Sequence, residues 1–112
     1  MSQITTHILD TTKGRPATGV VIDLYSGSND EWKLVARGVT NSDGRIPDLL
    51  KNDATLEKGI YKMRFETKDY FDKQQVRTFY PYVEIIFEID SSEHYHIPLL
   101  LNPFGYSTYR GS

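Results

Sequence analysis

The 112 residues are enough for one domain with a single core, and 1–112 reads as one compact unit without linker, repeat or low-complexity tract. Thirteen basic against fifteen acidic residues leave a net charge of -2 with no Lys/Arg block, which argues against a nucleic-acid partner. No apolar run reaches membrane-spanning length, and the lack of cysteine excludes disulfides and thiolate metal sites.

Apolar residues recur with period two along most of the chain, so the periodicity predicts strands. Gln3 to Leu9 is the first, followed by a turn over Asp10 to Gly14. Gly19 to Tyr25 is β-branched and short, and Gly27-Ser28-Asn29-Asp30 supplies its turn. Trp32 to Arg37 alternates, and the strand continues to Thr40 before Asn41-Ser42-Asp43-Gly44 breaks it. Ile60 to Glu66 alternates again.

Thr67 to Gln75 does not alternate and suits about two helical turns, with Thr67 as N-cap and Tyr70 and Phe71 pinning the helix down. Tyr82 to Ile89 is the next strand. His94 to Leu101 and Tyr106 to Arg110 complete the set, joined through Asn102-Pro103-Phe104-Gly105. Strands at short, regular intervals separated by turn residues predict an all-β sandwich.

The chemistry concentrates toward the end of the chain. Tyr109-Arg110-Gly111-Ser112 adds a phenol, a guanidinium and a hydroxyl directly after a dense apolar run, so an ordered end could line a pocket. His94 and His96 lie two apart, on one side of a strand, and His7 on the first strand could join them as a third zinc ligand. The plainer readings are a semi-polar strand residue for His7, a solvated turn residue for Arg45, and an exposed terminal strand for Tyr109 and Arg110. Composition and spacing alone leave these readings open.

In combination the motifs are more specific. Thr5-Thr6-His7-Ile8-Leu9-Asp10-Thr11 with Gly14-Arg15-Pro16-Ala17 opens the chain, and Thr40-Asn41-Ser42-Asp43-Gly44-Arg45 lies in the middle. His96-Ile97-Pro98-Leu99-Leu100-Leu101 and Gly105-Tyr106-Ser107-Thr108-Tyr109-Arg110-Gly111-Ser112 close it. This order resembles the transthyretin-like family across essentially the whole chain. The terminal Tyr-Arg-Gly-Ser resembles its enzyme branch, the 5-hydroxyisourate hydrolases, rather than the hormone carriers.

The resemblance implies a two-sheet sandwich of about eight strands with one short helix. It also implies a homotetramer, a dimer of dimers, with active sites around a central channel. The implied reaction is hydrolytic opening of 5-hydroxyisourate in urate degradation, with no cofactor and no metal. The implied catalytic set is His7, Arg45 and His96, with Tyr109 and Ser112 orienting substrate or water. His96 with His7 suits water activation and Arg45 suits oxyanion binding, while Arg110 would anchor the terminus. Either histidine can be the base on this reading, and His94 has no assigned role.

The N-terminus shows no signal-like pattern and the C-terminus is not Ser-Lys-Leu, so a cytoplasmic location is expected. Three competing readings remain at this point: a carrier of small aromatic ligands, a metal hydrolase built on His7, His94 and His96, and a structural sandwich pairing through edge strands.

Overall fold

A computed structural model describes residues 2–28 and 30–111. Its strands are β1 (Ile4–Asp10), β2 (Arg15–Pro16), β3 (Val21–Ser28), β4 (Glu31–Val39), β5 (Gly59–Phe65), β6 (Val83–Ile89), β7 (Tyr95–Asn102) and β8 (Gly105–Thr108). One helix, α1 (Thr67–Asp72), separates β5 from β6. The strands form two four-stranded sheets, in the orders β2-β1-β7-β8 and β4-β3-β5-β6. The all-β two-sheet sandwich with one short helix is therefore present.

Period-two patterning explains how the sheets face each other. In β1, Ile4, Thr6, Ile8 and Asp10 are buried while Thr5, His7 and Leu9 are half-exposed. In β5, Tyr61, Met63 and Phe65 point inward. With Ile22 and Leu24 of β3, Ile89 of β6 and Leu99 of β7 they make the inter-sheet core. Each such fully buried large side chain contributes about 1.5–3 kcal/mol relative to exposure.

The pairing of β1 with β7 is parallel, with Thr5 opposite His96 and His7 opposite Pro98, whereas the other ladders are antiparallel. A parallel pair needs a long crossover. Here the whole β4-β3-β5-β6 sheet and α1 lie between β1 and β7 in the chain. The fold thus sets the first strand beside the next-to-last one, β7.

Several local expectations are corrected. Glu66, not Thr67, occupies the N-cap of α1, and it makes no side-chain cap bond. Thr67 is buried as the first helical residue, and its Oγ1 has no partner among the described residues. Tyr70 and Phe71 do pin the helix to the sandwich. The last strand stops at Thr108 rather than Arg110, because the ladder with β7 breaks there and the chain pairs with it again only at the isolated Gly111–His96 bridge, with Arg110 held by side-chain contacts. β2 has only two residues, too few to show a period. The alternation of β4 does not bury a face: Leu34 and Val39 are 47% and 55% exposed at the edge of their sheet.

Candidate active site

The half-exposed face of β1 and β7 carries Thr5, His7 and His96. The turn that follows β4 brings Arg45 to the same face. Asn41 starts that turn: its Oδ1 accepts bonds from the Asp43 and Arg45 amides, at 2.8 and 3.2 Å. Gly44 adopts φ +72°, and a Cβ there would lie 2.5 Å from the Ile8 carbonyl oxygen. Only glycine allows this approach without strain. The turn is then locked to β1 by the Ile8 amide donating to the Gly44 carbonyl at 2.9 Å.

Arg45 consequently pairs with His7 as an isolated antiparallel bridge. Its Nη2 lies 3.5 Å from His7 Nδ1, at the long limit of a hydrogen bond. Thr5, Thr6, Arg45, Ile46, Pro47, His94 and His96 enclose an open cleft of about 410 Å³. Larger clefts lie elsewhere, including one of about 450 Å³ beside α1 that Lys13, Arg15 and Lys73 border. That cleft holds cations but no imidazole or carboxylate to activate water.

Two imidazoles meet at Thr5. Its Oγ1 is 2.7 Å from His94 Nε2 and 2.8 Å from His96 Nδ1. The His94 and His96 rings lie side by side, with centroids 6.3 Å apart and planes inclined by 23°. The H-x-H spacing thus does place both rings on one side, His94 just before β7 and His96 within it. Among the described residues no three His, Asp or Glu side chains converge as a metal site requires.

Burial and nearby charge favour the neutral form of both histidines. Burial, then the Arg45 cation, lowers the pKa of His7, while contacts with Asp43 oppose the shift. Burial, then Arg45, His94 and His7, lowers that of His96 against an opposing backbone contact with Thr5. Both imidazoles therefore favour the uncharged form, which has a lone pair available for a proton.

The terminal segment is anchored at Thr108, Arg110 and Gly111. Thr108 donates through Oγ1 to the Pro98 carbonyl at 2.7 Å. Arg110 pairs with Glu93 and stacks over the Tyr95 ring, 4.6 Å from its centroid. Tyr95 is itself fixed by its hydroxyl donating to Asp90 at 2.8 Å. The Gly111 amide then donates to the His96 carbonyl at 2.9 Å. A Cβ on Gly111 would sit 2.6 Å from His96 Cδ2, so this position needs glycine to close over the ring. Tyr109 is 60% exposed and borders a neighbouring cavity of about 360 Å³ that shares His96 with the main cleft. Ser112 lies outside the described residues.

The structure thus gathers His7, Arg45 and His96 and sets Tyr109 next to them across His96. Sequence reasoning overlooked Thr5 and Gly111. The signal for Thr5 was its position two before His7, which puts it on the same face of a strand. For Gly111 it was a glycine inside a motif otherwise built from functional side chains.

The family model described as "HIUase/Transthyretin family" matches residues 4–111. A Caenorhabditis elegans protein named probable 5-hydroxyisourate hydrolase is 45% identical over 112 residues, covering 99% of this chain and 82% of its own. The solved 5-hydroxyisourate hydrolase of Klebsiella pneumoniae superposes with a TM-score of 0.86 at 37% identity, covering 97% of this chain and 98% of that one. Sea bream transthyretin, solved in complex with thyroxine, superposes with a TM-score of 0.91 at 32% identity, covering 98% and 95%. Backbone likeness therefore does not separate enzyme from carrier, and residues at the site must do so. On the match over residues 4–111, the chain belongs to the HIUase/Transthyretin family.

Proposed function

We propose that this protein is a 5-hydroxyisourate hydrolase and that the cleft lined by Arg45 and His96, with His7 beside Arg45, is its active site. The observation that carries the assignment of the site is the convergence of two neutral-favouring imidazoles and one guanidinium on the outer face of β1 and β7. The hydrolases of Caenorhabditis elegans and Klebsiella pneumoniae support the activity.

The reaction adds water across a ring amide of the substrate. The water oxygen bonds to a ring carbonyl carbon, the adjacent carbon–nitrogen bond breaks, and the released nitrogen takes a proton. The product is 2-oxo-4-hydroxy-4-carboxy-5-ureidoimidazoline. His96, with His7 beside it, takes the proton from water. Arg45 binds the planar, polar substrate and stabilises negative charge on the attacked carbonyl oxygen. Tyr109 and Ser112 orient substrate or water. Every role is filled by a side chain of this protein, so the proposed chemistry uses no cofactor.

The same reading includes a homotetramer built as a dimer of dimers. Exposed Phe79, Tyr82, Ile86, Phe104 and Tyr106 and the β6 and β8 sheet edges support it, since such surfaces favour association. Sedimentation velocity tests it, a monomer being the contrary result. We assign the protein to the cytoplasm, consistent with a chain that uses no cysteine, and cell fractionation tests this. The small molecule is its partner, with neither nucleic acid nor membrane in the proposal. No helix among the described residues is long and apolar enough to cross a membrane.

The activity is tested by generating 5-hydroxyisourate from urate with urate oxidase and following its ultraviolet decay. Accelerated decay with this protein is the expected result. Decay at the spontaneous rate transfers the proposal to a carrier of small aromatic ligands, as in the transthyretin complex with thyroxine.

A further inference from the structure

Thr5 stands between two imidazoles, and it has one hydroxyl proton to give. Its Oγ1 reaches His94 Nε2 at 2.7 Å and His96 Nδ1 at 2.8 Å. Those nitrogens are its hydrogen-bond partners among the described residues, so it donates to one and accepts from the other. The two tautomers are thereby linked: fixing one ring's proton fixes the other's.

The two arrangements differ in what they leave His96 able to do. If Thr5 donates to His96 Nδ1, the neutral ring carries its proton on Nε2 and has no lone pair left for water. If His96 Nδ1–H donates to Thr5, Thr5 donates to His94 Nε2 and His96 Nε2 keeps its lone pair. Only the second arrangement makes a base of His96.

Resting on the hydrolase reading above, we propose that Thr5 is a positioning residue that holds His96 in the Nδ1–H tautomer, and that Thr5 and His94 form a proton relay behind it. The backbone holds the pair together, because Thr5 and His96 are register partners across the parallel β1–β7 ladder. Gly111 closes against the Cδ2 edge of the ring, which restricts its rotation. The Arg45 cation lines the same cleft and opposes a lasting positive charge on His96. Passing a proton through Thr5 to His94 takes that charge off His96.

The steps balance. Water gives a proton to His96 Nε2 as its oxygen bonds to the carbonyl carbon. The His96 Nδ1 proton passes to Thr5 Oγ1, and the proton of Thr5 passes to His94 Nε2. His96 is then neutral with its proton on Nε2, and His94 carries the positive charge. When the carbon–nitrogen bond breaks, His96 Nε2 protonates the leaving nitrogen. The proton on His94 returns through Thr5 to His96 Nδ1, which restores the starting state.

Nitrogen-15 NMR of the histidine-labelled native protein reads the tautomer without any turnover. The expected His96 signal is a protonated Nδ1 and an unprotonated Nε2, kept in Thr5→Ser and lost in the near-isosteric Thr5→Val. In the decay assay, Thr5→Val and His94→Ala should each lower kcat roughly 10- to 100-fold, the usual effect of removing a group that orients a functional imidazole. KM should stay within about threefold of native in both, because Arg45, Tyr109 and Ser112, the groups assigned to hold the substrate, are unchanged. Thr5→Ser should restore native kcat. An Nε2–H tautomer of His96 in an active native protein, or native kcat in Thr5→Val or His94→Ala, overturns the relay. A native protein that does not accelerate the decay overturns the hydrolase reading instead, and the tautomer measurement remains interpretable on its own.

Discussion

His7 and Arg45, 38 positions apart in the chain, meet across an isolated antiparallel bridge with the guanidinium 3.5 Å from the imidazole. The contact joins the first strand to the turn after β4. It couples the charge of Arg45 to the basicity of His7, and through the shared cleft to that of His96.

That coupling has a direction. Because burial, and then Arg45, lowers both histidine pKa values, the acid limb of kcat/KM should lie below the ordinary histidine pKa of about 6.5. Arg45→Met removes the cation, so both pKa values should rise and the acid limb should move to higher pH. The same variant should lose roughly 10²- to 10³-fold in kcat, as when a donor to a developing oxyanion is removed. A pH–rate profile reads both effects, and an unmoved limb would separate Arg45 from the histidines.

Gly44 sets that geometry through its backbone. Gly44→Ala puts a Cβ 2.5 Å from the Ile8 carbonyl oxygen at φ +72°. The strained conformation alone costs about 1–3 kcal/mol, so the melting temperature should fall. Activity at a temperature where the variant is still folded should fall too, because the turn must withdraw from β1 and carry Arg45 with it. Thermal melts beside the decay assay check both.

A contrasting pair supports the fold and not the chemistry. Tyr70 donates to the buried Asp10 carboxylate at 2.7 Å, and burial with that bond pushes its own pKa up to about 12. Asp10 also caps the turn after β1, accepting from the Thr12 and Lys13 amides at 3.1 and 3.2 Å. Tyr70→Phe leaves one carboxylate oxygen short of a donor, which should cost about 1–3 kcal/mol in denaturant unfolding. Turnover by the folded enzyme should not change.

The terminus should show the reverse. Ending the chain at Thr108 keeps β8 and its bond to the Pro98 carbonyl, so the circular dichroism spectrum should stay that of a folded sandwich. The truncation removes Gly111 from the His96 backbone together with Tyr109 and Ser112. Activity should fall at least about hundredfold, in the range seen when a general base is lost or misplaced.

The sequence made the sandwich legible wherever a strand is half-buried. β1 and β5 alternate cleanly because one face of each meets the core. β4 alternates too, yet it overhangs as an edge, so period alone did not reveal its exposure. The parallel partnership of β1 with β7 depends on a crossover that no local pattern encodes. For the site, residue types and the terminal motif pointed to His7, Arg45 and His96, but their nearness came from Gly44 and from that parallel ladder. Thr5 was hidden because a threonine on a strand is ordinary until two rings are seen to converge on it.

In the proposed reaction the cleft on β1 and β7 opens the substrate ring with His96 as its base. The direct measurement compares 5-hydroxyisourate decay with native protein and with His96→Ala, whose fold is verified by circular dichroism. Native protein should give rapid decay, and the variant a kcat lower by roughly two to four orders of magnitude. Native-like turnover by a folded His96→Ala protein would contradict it.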